Sequence, residues 1–179
     1  MPSAFALVVV VILLVAVVLV TSYNRFIQQR QLLADSWADV ELELERRHDL
    51  IPNLVATVQG YAAHERDVLL HLVELRDVAM EAPPTPDGRA ATEPELGQAT
   101  GRILALAERY PDLRASAGFL GLQRQLATTE DRLAAARRFY NGNVRDLNRR
   151  VESFPSLLVA RLGGIHRAAY FQLDQGSPT

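Results

Sequence analysis

His64-Glu65 is the pair in this 179-residue sequence that most invites a catalytic reading, because zinc hydrolases of the H-E-x-x-H kind begin with those two residues. The second histidine would stand one turn further along the helix, and that place is Val68. His64 and His71 lie seven positions apart, two turns along one helical face, and would hold a metal only with ligands from another helix. His48, beside Asp49, has no ligand spacing. Without cysteine there is no thiolate, and the sequence has neither a G-x-S-x-G elbow nor a phosphate-cradling glycine loop. Gly118 and Gly121 flank a helix start and read as turn and packing glycines. No metal, cofactor or catalytic residue is assigned. An enzyme would need an acid–base or metal constellation that these residues do not assemble.

The sharper chemistry lies in charges placed where apolar side chains are expected. Arg47 and Glu65 fall on an otherwise apolar stripe. Eighteen positions apart, they are separated by about 27 Å on one helix and cannot pair with each other there. A charge facing another helix needs a counter-charge, and removing one member of a buried pair costs about 3–5 kcal/mol. The partners offered are Glu130 or Asp131 for Arg47, and Arg137 or Arg145 for Glu65. Such pairs would fix helix register; alternatively both side chains snorkel to water. Thr129, Asn143 and Arg150 are polar members of a second stripe. Tyr140-Asn141, with Arg137 one turn back and Asn148 two turns on, can form a hydrogen-bonded cluster. Arg137, Arg138, Arg145, Arg149 and Arg150, interleaved with Asp146 and Glu152, read as a solvated face, or as a patch for anionic headgroups or an acidic protein.

Helices must position all of these. Leu33, Trp37, Val40, Leu44, Arg47, Ile51, Leu54, Val58, Tyr61, Glu65, Val68, Leu72, Leu75 and Ala79 follow alternating steps near three and four, the spacing of a helix–helix seam. A second seam runs from Phe119 through Leu126, Leu133, Tyr140 and Leu147 to Phe154, and a shorter one links Leu96, Ala99, Ile103, Leu106 and Tyr110. The spacing predicts an all-α body: a long kinked helix and an antiparallel bundle, three main helices plus one short C-terminal helix. Residues 81–94 hold four prolines and a glycine and are expected as a loop, ending in a capping box at Thr92-Glu93-Pro94-Glu95. Tyr110-Pro111 stops the second helix, Ser116 caps the third, and Phe154-Pro155-Ser156 ends it. A short apolar segment, 157–162, closes at Gly163-Gly164. Gly176 to Thr179 is expected to be disordered. Pro52 either sits in the first turn of a new helix capped by Asp49 or kinks a continuous one. The seam stays in phase across it, which favours the kink. A helix from Tyr23 to Met80 would be about 85 Å long and leave part of its stripe bare, which predicts a homo-oligomer.

One segment is of another kind. All nineteen cations are arginine, and with the twenty-one acids they lie beyond the first twenty residues. Ala4 through Leu13 to Val20 is unbroken apolar sequence, about 25 Å as a helix. A secretory signal would want a basic start and an A-x-A-like site, and Val20-Thr21-Ser22 is a poor match. Residues 1–22 are therefore expected as a transmembrane anchor in a lipid bilayer, 23–164 as the helical domain and 165–179 as a tail. Tyr23 and Phe26 stand at interfacial positions. Arg25 and Arg30 follow the span, which places the N-terminus outside and the body in the cytoplasm. A net charge of -2 argues against nucleic acid as a partner.

Around the proline the sequence reads Arg46-Arg47-His48-Asp49-Leu50-Ile51-Pro52-Asn53-Leu54-Val55, followed by Gly60-Tyr61-Ala62-Ala63-His64-Glu65. These words resemble the signature of the LemA family of bacterial membrane proteins. Tyr23-Asn24, Trp37, Tyr110-Pro111-Asp112-Leu113, Thr129-Glu130-Asp131-Arg132, Ala136-Arg137-Arg138-Phe139-Tyr140-Asn141 and Phe154-Pro155-Ser156 match it as well. The resemblance runs from the anchor to about Gly164. It implies an N-terminal anchor, a helical body and a place in the bacterial inner membrane, and brings no settled activity. The family's apolar, aromatic ending is replaced by Gly163-Gly164-Ile165-His166, a departure that bears on how the tail docks. The functional expectation is a membrane-anchored scaffold that self-associates or docks membrane or cytoplasmic proteins. The alternative is a signal-sensing bundle with a polar pocket near Tyr61, His64, Arg137, Tyr140 and Asn141.

Overall fold

Pro2–Gln59 forms one helix, α1, whose first part is the apolar run and whose last part carries the prolyl motif. The computed structural model describes residues 2–173, with side chains from Ala6 onward. After α1 come α2 (Arg66–Glu81), α3 (Pro86–Leu106), α4 (Pro111–Ala115), α5 (Ala117–Glu152) and α6 (Ser156–Leu162), with single 3₁₀ turns at Ala63–Glu65 and Ala107–Arg109. The described residues hold no strand, so the chain is all-α as the seams predict. Gly176 to Thr179 lies outside the described residues.

Two compact units share α1 and α5. The first comprises Met1–Trp37 with Phe139–Ala169, and the second comprises Ala38–Arg138 with Tyr170–Thr179. In the first, Phe26 of α1, Leu147 of α5, Val159 and Ala160 of α6 and Ile165 beyond it are buried together. Side chains from Ala6 to Val20 are exposed, and this helix is long and apolar enough to cross a membrane. In the second unit, Ile51, Leu54 and Val58 of α1 pack with Leu69 and Leu72 of α2, Leu96 and Ile103 of α3, Leu113 of α4 and Leu126 of α5. Burying each such leucine or isoleucine contributes about 1.5–3 kcal/mol.

Three expectations are corrected here. The first helix does not run to Met80. It ends at Gln59, and the amides of Tyr61 and Ala62 both bond back to the Val58 carbonyl, turning the chain before α2. Gly60 is the weak point, since glycine costs about 1 kcal/mol in a helix interior. Around the turn Ala62 and Leu69 are buried in place of Tyr61 and Val68, which are exposed, and the stripe resumes at Leu72 and Ala79. The seam is also bare over a shorter stretch than expected: Val40, Leu44, Ile51, Leu54 and Val58 are fully buried within the single chain, while Tyr61 and Val68 remain exposed.

The loop expected over 81–94 is only residues 82–85. Thr85 caps α3 by accepting from the Gly88 amide at 3.2 Å, and Pro86 occupies the first turn, where its missing N–H is not needed. A side chain at Gly88 would stand 2.5 Å from the Pro83 carbonyl oxygen, so the tight entry requires glycine. The proposed capping box is thus helix interior, and Pro94 lies within α3. Elsewhere the punctuation holds. Ser116 Oγ accepts from the Phe119 amide at 3.1 Å, and Gly164, with φ of 61°, follows α6.

Candidate functional site

The prolyl motif divides along the helix into two faces. Arg47, His48, Ile51 and Leu54 point inward, while Arg46, Asp49, Pro52 and Asn53 are exposed and Leu50 and Val55 half-buried. Arg47 is 2% exposed, yet it carries a full charge among apolar neighbours. Its Nη1 donates to Glu130 Oε1 of α5 at 2.9 Å, one of the two partners offered by the seam, and its Nη2 to Glu93 Oε2 of α3. Glu93, with no exposed surface, also takes a hydrogen bond at 2.9 Å from His48 Nε2 through its other oxygen. One turn of α1 is therefore fastened to two other helices.

Electrostatics keeps Arg47 and Glu93 charged. Burial disfavours the Arg47 cation, but the charges of Glu93 and Glu130 outweigh it and raise its pKa. Burial likewise pushes the Glu93 carboxyl up, and the His48 hydrogen bond with the Arg47 charge overcomes that, holding it below the usual carboxylate range. An ionised Glu93 only accepts, so His48 carries its hydrogen on Nε2.

Pro52 enters the same node through the backbone. Lacking an N–H, it leaves the carbonyl four residues back without its helical partner, and that residue is His48. Arg76 of α2 fills the vacancy, its Nε donating to the His48 oxygen at 3.0 Å. Pro52 therefore neither ends the helix nor begins a new one; α1 runs through it, with α2 docked where its hydrogen-bond ladder opens. Beside it Arg89 of α3 grips Glu41 of α1 with two bonds, 2.9 and 2.7 Å, and donates to the Ala79 carbonyl in the last turn of α2. The Glu41 hydrogen bond is the main reason that the Arg89 pKa is raised.

Glu65 is elsewhere. With α1 ending at Gln59, it sits in the 3₁₀ turn and accepts from Arg109 Nη2 at 3.1 Å and the Tyr110 hydroxyl at 3.0 Å, rather than from Arg137 or Arg145. That bond raises the Tyr110 pKa. His64 and Tyr61 are exposed at the same turn. Among the described residues no three His, Asp or Glu side chains converge as a metal site.

Tyr140, Asn143 and Asn148 belong to the first unit. The Tyr140 ring lies 5.2 Å from that of Trp37, and its hydroxyl donates to the Ala169 carbonyl at 2.9 Å. Asn148 donates to the Ala168 carbonyl at 3.0 Å and accepts from the Ala168 amide at 2.8 Å. The polar cluster of α5 thus straps down the segment after Gly164, despite its departure from the family ending. Asn143 is buried with Nδ2 unpartnered, and Arg137 and Asn141 are half-buried.

Two clefts of the second unit reach the prolyl motif. One, of about 450 Å³, is lined by Arg46, Asp49 and Leu50 of α1 and Arg124, Thr128 and Arg132 of α5. The other, of about 620 Å³, is lined by Arg47, Glu93, Gln98, Gln123, Glu130 and Leu173. Tyr61, His64, Arg137, Tyr140 and Asn141 line neither.

Sequence comparison agrees with the motif. The sequence model of the LemA family matches residues 36–179. Magnetosome protein MamQ 2 of Paramagnetospirillum magneticum is 26% identical, over 86% of this chain and 66% of its own length. Magnetosome protein MamQ of Magnetospirillum gryphiswaldense is 25% identical over 95% of this chain and 72% of its own. Protein LemA of Metamycoplasma hominis is 20% identical over 85% and 69%. The chain spans just under two thirds of the first of these relatives. With the prolyl motif and most of the helical body inside the matched region, this chain belongs to the LemA family.

Proposed function

We propose that this protein is a membrane-anchored, non-catalytic docking platform whose cross-linked helices hold a basic cleft for an acidic segment of a partner protein. The observation that carries this reading is the division of labour within the prolyl motif. Its inward charges are spent on Glu93 and Glu130, while its outward residues Arg46, Asp49 and Leu50 form a wall of the open 450 Å³ cleft. Arg124 and Arg132 on the opposite wall give the cleft a cationic excess beside the single aliphatic side chain of Leu50, the complement of an acidic peptide. The apolar run sets the body at the bilayer, and Arg25 and Arg30 after it favour the cytoplasmic side. Two relatives are named as magnetosome proteins, and a role in organising proteins at a membrane suits both their setting and this architecture.

A photo-crosslinking residue at Gln125 or Thr128 of the full chain, activated in intact cells, tests the platform. Adducts on Asp- and Glu-rich peptides that vanish in Arg124→Glu/Arg132→Glu support it. Adducts on neutral or basic peptides, or adducts indifferent to charge reversal, overturn it. If the acidic peptide belongs to this same chain, the platform is a homo-oligomer, and the mass of the detergent-solubilised protein will exceed that of a monomer.

A sensing bundle is the second reading, favoured by one observation. The 620 Å³ cleft reaches the charge node, and Arg47 Nε is buried there without a hydrogen-bond partner. A small molecule accepting from that N–H would tune the cross-link, and a thermal shift on binding, abolished in Gln98→Leu/Gln123→Leu, would establish it.

A further inference from the structure

Helix α6 reads Ser156-Leu157-Leu158-Val159-Ala160-Arg161-Leu162 and carries a single charge. Val159 and Ala160 are turned inward against Phe26 and Ile165. Such an apolar helix is normally buried all round. Here Leu162 is 83% exposed, Leu158 on the same face is half exposed, and Phe154 just before the helix is 80% exposed. Leu158 and Leu162, four residues apart, therefore share one outward face of α6, and Phe154 is exposed in the turn that leads into it.

Their position says what covers them. A methyl group built on Gly163, the residue that ends α6, would stand 3.5 Å from the ring of Tyr23. Tyr23 follows the last apolar residue of the span, Val20, by three positions, less than one helical turn. The C-terminal end of α6 thus adjoins the place where the membrane-crossing stretch of α1 leaves the hydrocarbon, and an aromatic ring at that level marks the headgroup layer. Arg161 is exposed on the same short helix, where a long basic side chain reaches phosphates while its stem lies among acyl chains.

We propose that α6 is a second membrane contact: Phe154, Leu158 and Leu162 insert into the interfacial layer of the bilayer, and Arg161 pairs with lipid phosphate. This rests on the reading of α1 as a span, whose end lies beside the residue that closes α6. It makes the membrane-proximal unit a two-point attachment in which α6 is held to α1 by the Phe26 contacts and to lipid by its other side.

The cysteine-free sequence makes the test direct. Single cysteines in the full chain at Leu13, Asp146, Leu158 and Leu162 carry nitroxide labels, and the protein is reconstituted into phosphatidylcholine vesicles containing phosphatidylglycerol. Collision with lipid-soluble oxygen and with a water-soluble nickel chelate is measured at each site. The expected result is an oxygen-to-nickel ratio several-fold higher at 158 and 162 than at the water-facing control 146. Ratios at 158 and 162 equal to that at 146, with position 13 lipid-like, overturn the α6 contact and leave the span intact. A water-like position 13 removes the span and the contact with it. Labels at 158 and 162 that are shielded from both reagents, or broadened by a neighbouring label, show a protein cover and overturn the lipid contact. Because both positions point away from the core, an unchanged circular dichroism spectrum verifies the fold of each labelled chain.

Discussion

Arg76 Nε stands 3.0 Å from the main-chain oxygen of His48, the one carbonyl of α1 that Pro52 deprives of a helical donor. A side chain from α2 thereby completes a hydrogen bond that α1 cannot make for itself. The proline of the motif is a docking notch for the neighbouring helix.

This relationship predicts coupling between residues that do not bond to each other. Arg76→Ala should cost about 1–2 kcal/mol, the worth of a bond to a charged donor with one buried acceptor orphaned. In a Pro52→Ala background the restored N–H serves the His48 oxygen, and the same substitution should cost about 1 kcal/mol less. Denaturant titration of the four detergent-solubilised chains measures the cycle. Equal costs in both backgrounds would show that Arg76 and Pro52 act independently.

The Arg47–Glu93 pair should behave as a buried ion pair. Arg47→Met and Glu93→Leu each leave a charge without its main partner and should destabilise by about 3–5 kcal/mol. The double variant replaces both charges by hydrocarbon and should lose less than the sum, by at least about 1 kcal/mol. Thermal melting decides this, and strict additivity would mean the two side chains act independently.

Glu93 should also write the acid limb of the stability curve. Its carboxyl titrates below the ordinary 4.5 in the folded chain, so the unfolded chain binds its proton first. The resulting stabilisation is complete above 4.5 and drains away as the pH falls through the lowered folded value. Glu93→Gln should lower the melting temperature near neutrality and flatten its fall across the acidic range. A variant that melts in parallel with the parent at every pH would assign the acid limb to other carboxylates.

Asn148 should control the segment after Gly164. Asn148→Asp keeps the acceptor for the Ala168 amide but loses the donor to the Ala168 carbonyl, and should free the segment at a cost of about 1–3 kcal/mol. Limited trypsin digestion reads this at Arg167, which is exposed, as faster cleavage than in the parent. Tyr140→Phe, which removes the bond to Ala169, should act in the same direction. Unchanged cleavage in both would show that apolar contacts alone retain the tail.

Much of this was legible in residue spacing. The all-helical body, the passage through Pro52 and the cap at Ser116 follow from periodicity and punctuation, which narrow the partner of Arg47 only to Glu130 or Asp131. Glu93 was obscured by its setting, because the prolines around it read as a loop. Counting back from Ile103 and Leu96 in steps of three and four does arrive at Glu93 and then Arg89, both buried, so the seam continues into charges. Thr85-Pro86 is as good a helix start as Thr92, and nothing local chooses between them. Gly60 and the reach of Arg76 to His48 were less accessible still. The first is a weak preference that tertiary packing decides, and the second joins residues twenty-eight positions apart.

Arg47, Arg76 and Arg89 share one trait: each distributes the nitrogens of a flat guanidinium among separate acceptors. Lysine offers a single nitrogen and no such fork. Conservative recoding to lysine should pass unnoticed over the solvated surface of this lysine-free chain and unlace the body at these three knots, so a substitution that preserves charge everywhere would separate ornament from architecture.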